Sequence, residues 1–278
     1  MLRLLGIELH KLKNSRASKI LIATYFTLLT SIALIAAIKF DIGPIKFHLA
    51  EQGIFNFPYI WHFNTFISAF FKLFLLLVIV SMVSNEYSNK TLKQNLIDGL
   101  SKKEFILSKF YTVVLFALIS TVFVFVISMI LGLIYSDFNE ISIIFSDLEY
   151  LLAYFVKLVG FFSFGLFIGM LIKRSAFAVG AMLIWYIIES ISYKIFKWNI
   201  FRDSNIADSI FQFAPFQALW NLIDEPFSRL NAVKTLASQV GEDLSYDYSV
   251  HWYEITIVLG WTFIFIYSSY ILLKKRDL

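Results

Sequence analysis

Three ionisable side chains, Lys72, Lys157 and Glu189, stand inside long apolar runs of this 278-residue chain. A charge in an apolar medium costs at least about 2.5–3 kcal/mol on insertion scales, so each is expected to find a partner. Helical rise puts the three about 18, 24 and 21 Å from the basic end of their runs, at nearly matching depth. Glu189 is therefore expected to pair with Lys72, Lys157 or both; the uncoupled alternative is that the lysines snorkel to a polar surface. No catalytic set accompanies them. The chain has no cysteine, hence no thiol nucleophile and no Cys-based metal site. His10, His48, His62 and His251 fall on different segments and lack the H-E-x-x-H spacing of a zinc helix. No G-x-S-x-G surrounds a serine, and no G-x-x-x-x-G-K-[ST] loop is present to cradle nucleotide phosphates. The expectation is a non-enzymatic chain that binds no cofactor or metal itself.

The elements that must position these charges are apolar helices. The composition is 59% hydrophobic and 16% charged, with mean hydropathy +0.73. A soluble domain carries about a quarter charged residues, and about 20 apolar residues suffice to cross a bilayer core. The sequence predicts an all-α integral membrane protein, residues 1–278 forming one transmembrane domain, with spans at 20–38, 63–84, 110–135, 151–172, 176–193 and 253–273. Residues 1–19 carry a basic pattern around Leu2, Leu5, Leu9 and Leu12, which predicts an amphipathic helix in the interface. The run after it is too long for a signal-peptide core and lacks an A-x-A site, so it reads as a retained first span. Thr24, Thr27 and Ser31 mark a face of that span expected to pack inward. Gly165-x-x-x-Gly169 marks a close-packing face on the fourth span.

Orientation follows the basic residues. Segments 1–19, 85–109, 173–175 and 274–278 hold 15 Lys and Arg, against 7 in the longer segments 39–62, 136–150 and 194–252. The second group also includes a loop with Asp137, Glu140, Asp147 and Glu149 and no basic residue. The excess predicts six spans with both termini cytoplasmic. The basic residues are sorted by membrane side, which argues against nucleic acid as a partner. Segment 194–252, with Pro215, Pro226 and a dense set of aromatics, becomes the long outer loop, its aromatic half suited to the headgroup level.

The one substantial inner loop, 85–109, reads NEYSNKTLKQNLIDGLSKKEFILSK. Leu92, Leu96 and Leu100 recur every four residues on one helical face. Gly99 offers a helix stop, and Ser101-x-x-Glu104 reads as a capping box opening the next helix. This sequence of features, with Glu86 before it, Lys90-Thr91-Leu92 at its start and Lys109 at its end, resembles the loop of type-2 ABC exporter permeases, most closely the drug-resistance and lantibiotic-immunity branch. Many members have Gly-Thr where this chain has Lys90-Thr91. The resemblance implies a cytoplasmic coupling helix between spans two and three that docks on a separate ATP-binding cassette subunit, which would hold the ATP and magnesium. It implies coupling roles for Glu86, Thr91, Leu92, Leu96, Leu100, Ser101 and Glu104, with the leucines seated in a cleft of the ATPase and Glu86 orienting the helix. It also implies a second permease copy or a related permease, a bacterial inner membrane, and short re-entrant helices between spans five and six.

The leading function is thus a permease subunit exporting a drug, peptide or lipid-like substrate. An ion-gradient-driven transporter or channel is the alternative; it commonly breaks helices at the midplane, whereas Pro44, Pro58, Pro215 and Pro226 all lie in outer loops. A non-transporting membrane partner protein is a third reading.

Overall fold

A computed structural model describes residues 2–35, 39–42, 45–48, 53–202, 205–230, 233–234, 238–239 and 247–276. In chain order the helices are α1 (Leu2–Asn14), α2 (Arg16–Ile35), α3 (Tyr59–Phe70), α4 (Lys72–Ser88), α5 (Thr91–Ile97), α6 (Lys102–Tyr135), α7 (Ile141–Ile144), α8 (Glu149–Ile172), α9 (Ser175–Ile195), α10 (Ile206–Phe211), α11 (Pro215–Asn221) and α12 (Trp252–Lys275). One hairpin, Lys39–Ile42 with Ile45–His48, interrupts the helical order; its register pairs Lys39 with His48 and Ile42 with Ile45. The end of the expected first span at 36–38, and most of the polar stretch before Tyr248, lie outside the described residues.

Among the described residues α6, α8, α9 and α12 are long and apolar enough to cross a membrane. The pair α3 and α4, bent by 46°, makes a fifth if it is one span. The expected run 63–84 is therefore not one straight helix. No proline or glycine causes the break. Phe71 and Phe74 donate backbone bonds to Ser68 and Phe71, three residues back, and this tight turn reorients the ladder just before Lys72. At its far end α9 runs on through a π turn, Phe196–Ile200.

Helix α8 is the centre of the bundle and packs against α12, α4, α6 and α9. Its small residues set how close those neighbours come. A Cβ on Gly165 would strike the Leu76 side chain of α4, and one on Gly169 would touch Val80 of the same helix. The Gly165-x-x-x-Gly169 face therefore meets α4 of the same chain, as dispersion-driven helix packing in lipid requires. On α2 the inward face is Tyr25, Leu29 and Ile32, while Thr27 is exposed. The expected Thr24, Thr27, Ser31 face is off by about one position, because larger side chains fill the gap against α4 and Tyr25 reaches the Tyr154 hydroxyl at 3.1 Å.

Gly165→Leu is expected to push α4 off α8 and to cost about 1–3 kcal/mol, read as a lower Tm in detergent. Gly180→Ala and Gly260→Ala, whose added methyl meets nothing within 4 Å, should leave Tm unchanged or slightly raised.

Candidate functional site

At the end of the bundle that carries α1 and α5, four elements converge on one carboxylate. Glu86, in the last turn of α4, is 3% exposed; Glu8 of α1 is 2% and Lys109 of α6 is 0% exposed. Lys109 Nζ donates to Glu8 Oε2 at 2.5 Å and to Glu86 Oε1 at 2.8 Å. Lys11, half-exposed on α1, donates to Glu86 Oε1 at 2.6 Å. The other Glu86 oxygen accepts from Thr91 Oγ1 at 2.6 Å and Asn95 Nδ2 at 3.1 Å, both on α5. Two carboxylates and two ammonium groups form a charge-neutral set whose oxygens are filled by hydrogen bonds, the condition under which buried ions are tolerated.

This arrangement decides how α5 sits. Its entry residue, Lys90, is left-handed at φ 57°, the conformation that glycine adopts at least cost and so the one to which Gly-Thr at this point is suited. Its exit is a Schellman turn: Leu100 N–H bonds to Asn95 O at 3.0 Å and Gly99 N–H to Leu96 O at 3.2 Å, with Gly99 at φ +95°. Ser101 and Glu104 then form a capping box. The Glu104 N–H donates to Ser101 Oγ at 3.1 Å, and the Ser101 N–H donates to Glu104 Oε2 at 2.9 Å. Between these boundaries the leucine face turns inward. Leu92 is 2% exposed in the chain's own core, and Leu96 and Leu100 pack against it. Leu92 is thus covered by the chain's own apolar surface, while Leu96 and Leu100 stay partly exposed. The face left outward carries Lys93, Gln94 and Asp98 around Ile97, which is 71% exposed.

The same end is braced by the C-terminal helix. Arg276 donates to the carbonyl of Met170 at 2.7 Å, to that of Leu171 at 3.3 Å, and to the Tyr87 hydroxyl at 3.0 Å. Its guanidinium lies over the Tyr87 ring, which also receives the Lys173 ammonium. Lys102 reaches the carbonyls of Lys274 and Arg276.

The intramembrane charges do not pair as expected. Glu189 Oε1 accepts the backbone N–H of Gln217 at 2.7 Å, in the first turn of α11. Its other oxygen has no hydrogen-bond partner, the Trp185 indole being near without reaching hydrogen-bond geometry. A short helix that starts inside an apolar bundle has N–H groups no water can reach, and a carboxylate there satisfies one of them and complements the helix dipole. Helix α11 does start deep: Phe216 meets Phe164 of α8 and Tyr186 of α9 with ring centres 5.4 and 5.5 Å apart. Lys72 instead lies over the Phe161 ring at 4.5 Å, and Lys157 is 3% exposed with no ion pair among the described residues.

The opposite end is closed by polar contacts of α3 with the 222–230 turn. His62 stacks on Tyr150 with centres 4.3 Å apart. Its ring nitrogens meet the Asp224 carbonyl at 2.9 Å and Arg229 Nη1 at 3.1 Å, which fits the tautomer with hydrogen on Nε2. Burial raises the Asp224 carboxyl above the ordinary Asp range, an effect that nearby Lys157 opposes.

Residues 10–278 match the family model described as ABC-2 family transporter protein. The chain belongs to that family. No curated protein matches it. As an ABC-2 protein it is a multi-pass transmembrane component of an ABC transporter, and membership implies association with an ATP-binding cassette subunit.

For this ABC-2 chain the sequence pointed to Glu86 and the loop after it, and missed Lys11, Lys109 and Asn95 as its partners and Glu8 as the second carboxylate on Lys109. A signal existed for Glu8, the only acid among the five basic residues of the first 19. Lys109→Met leaves Glu8 and Glu86 as adjacent buried carboxylates, and is expected to destabilise by about 3–5 kcal/mol in chemical unfolding. Changing both Lys109 to Met and Glu86 to Gln should be milder than the sum of the single changes. In the bilayer half, Glu189→Gln, which keeps an acceptor for α11, should be tolerated far better than Glu189→Leu in the same assay.

Proposed function

We propose that this ABC-2 protein is the permease subunit of an ATP-driven exporter, and that α5 is its coupling helix. The observation that carries the reading is the exposed α5 face around Ile97, on a helix anchored to α4 by Glu86 and through it to α1 and α6. A push on Ile97 is then delivered to spans instead of being absorbed in a loose loop, which alternating access needs from a two-state element. In this reading Glu86, Thr91, Leu92, Leu96, Leu100, Ser101 and Glu104 position the helix, and Ile97 with Lys93 and Asp98 makes the contact.

The rest of the proposal completes the family architecture. Helix α2, 20 residues and about 30 Å long, supplies a sixth span, with both termini cytoplasmic and α1 in the inner interface. ATP and magnesium sit on the separate cassette subunit, and two permeases, identical or related, enclose the path. The broad exposed apolar face of α9 is available for that second copy. The re-entrant α10–α11 element closes the outer end. Substrate is a drug, peptide or lipid-like molecule, and the membrane is the bacterial inner membrane, as the drug-resistance and lantibiotic-immunity resemblance suggests.

Tagged chain purified gently from its host is expected to bring a stoichiometric ATP-binding subunit. Ile97→Asp should reduce that capture at least tenfold with Tm unchanged, whereas Leu92→Asp should lower Tm itself. A wild-type chain that comes without an ATPase, or an Ile97→Asp chain that retains it, overturns the reading.

A further inference from the structure

A cavity of about 280 Å³ lies between α4, α8, α9 and α11. Its wall is aromatic and aliphatic, with Phe161, Phe216 and Trp220 prominent, and among the described residues its basic lining is Lys72 and Lys157. Phe70, Leu73, Leu183 and Trp220, also lining it, are exposed on the outside of the bundle. The mouth therefore opens sideways between α4 and α9, at the depth of the hydrocarbon core and away from both polar ends.

Neither lysine has a carboxylate within ion-pair distance among the described residues. Glu189, the nearest expected partner, is committed to the first turn of α11. Among the described residues neither lysine forms an ion pair; Lys72 has the Phe161 ring, while Asp224 and Glu254 act on Lys157 from beyond ion-pair distance. Burial and mutual repulsion disfavour charge on both amines while the space between them holds no anion, and an anion placed there stabilises both in their protonated form. The surrounding wall favours hydrocarbon.

We propose that this cavity binds an anionic amphiphile from the bilayer, its headgroup between Lys72 and Lys157 and its acyl chain along the aromatic wall toward the mouth. Binding itself requires no second subunit. As the substrate class of the exporter, an anionic amphiphile deepens the functional proposal above and in that respect rests on it.

The test is native mass spectrometry of the purified permease in a neutral detergent, with phosphatidylglycerol, phosphatidylcholine of the same chains, and dodecyl phosphate as probes. Wild-type chain is expected to retain phosphatidylglycerol at least tenfold over phosphatidylcholine. The double change Lys72→Met, Lys157→Met should bring the ratio near one. Leu183→Trp, which fills the mouth and keeps both lysines, should reduce retention of phosphatidylglycerol at unchanged Tm; with Lys72→Met alone it keeps the test decisive where the double variant fails to fold. Preference for dodecyl phosphate without phosphatidylglycerol would overturn the bilayer source. No anionic preference in wild type, or a preference that survives the lysine changes, overturns the site. A chain that captures its ATPase yet binds neither anion sinks this inference alone; one that binds the anion and no ATPase sinks the exporter reading and leaves the site standing.

Discussion

The end of this molecule that carries α1 and α5 depends on the Glu86 carboxylate. Its two oxygens are shared between different tasks: one faces the ammonium groups of Lys109 and Lys11, the other holds Thr91 and Asn95 of the amphipathic helix. Such a set adds little net stability over a well-packed apolar one, because desolvation offsets most of the Coulomb attraction. What it provides is register. A leucine face can slide on a greasy neighbour with small losses, whereas a carboxylate displaced by a few ångströms leaves four donors unmet. Short helix α5, too short to hold its shape alone, thereby inherits the rigidity of α4 and α6.

A second polar device works in the other half of the bundle by the same logic. Helix α11 enters the interior, and its first turn would be unsatisfied there without Glu189. Using that carboxylate for a backbone amide leaves Lys72 and Lys157 without it. The structure thus trades an internal ion pair for a short helix started inside the bundle plus a cavity lined by two lysines, and the packing of α8 against α4 through Gly165 and Gly169 holds those lysines at neighbouring positions.

Much of this was legible in the sequence. The apolar runs, the basic asymmetry, the left-handed stop at Gly99 and the Ser101–Glu104 box are local, and local patterns are written in nearby residues. What failed was relational. Periodicity put Leu92 and Leu96 on one face of α5 but did not say what would cover it, and the helix that packs most closely on α5 is α4. Matching depths suggested that Glu189 meets the lysines, yet depth is one coordinate of three, and α11 stood nearer. The bend at Phe71 had no proline or glycine to announce it; it is visible only in the hydrogen-bond ladder. Glu8 was hidden by its basic neighbours, since a helix labelled by its net charge conceals the one residue of opposite sign.

The span of chain enclosed by the Glu86 set has a bearing on how the protein is made. Its members run from residue 8 to residue 109, so the whole set is available once residue 109 has emerged from the ribosome. The Arg276 brace joins the residue that caps α12 to residues more than 100 positions earlier and cannot close until α12 has been made. The α1–α5 end is therefore assembled in two stages, an early lock that shapes α5 and a late latch that ties α12 to the end of α8. A chain stalled between them would already display a shaped α5 while its bundle was still open, which makes the late latch the natural point for quality control to inspect.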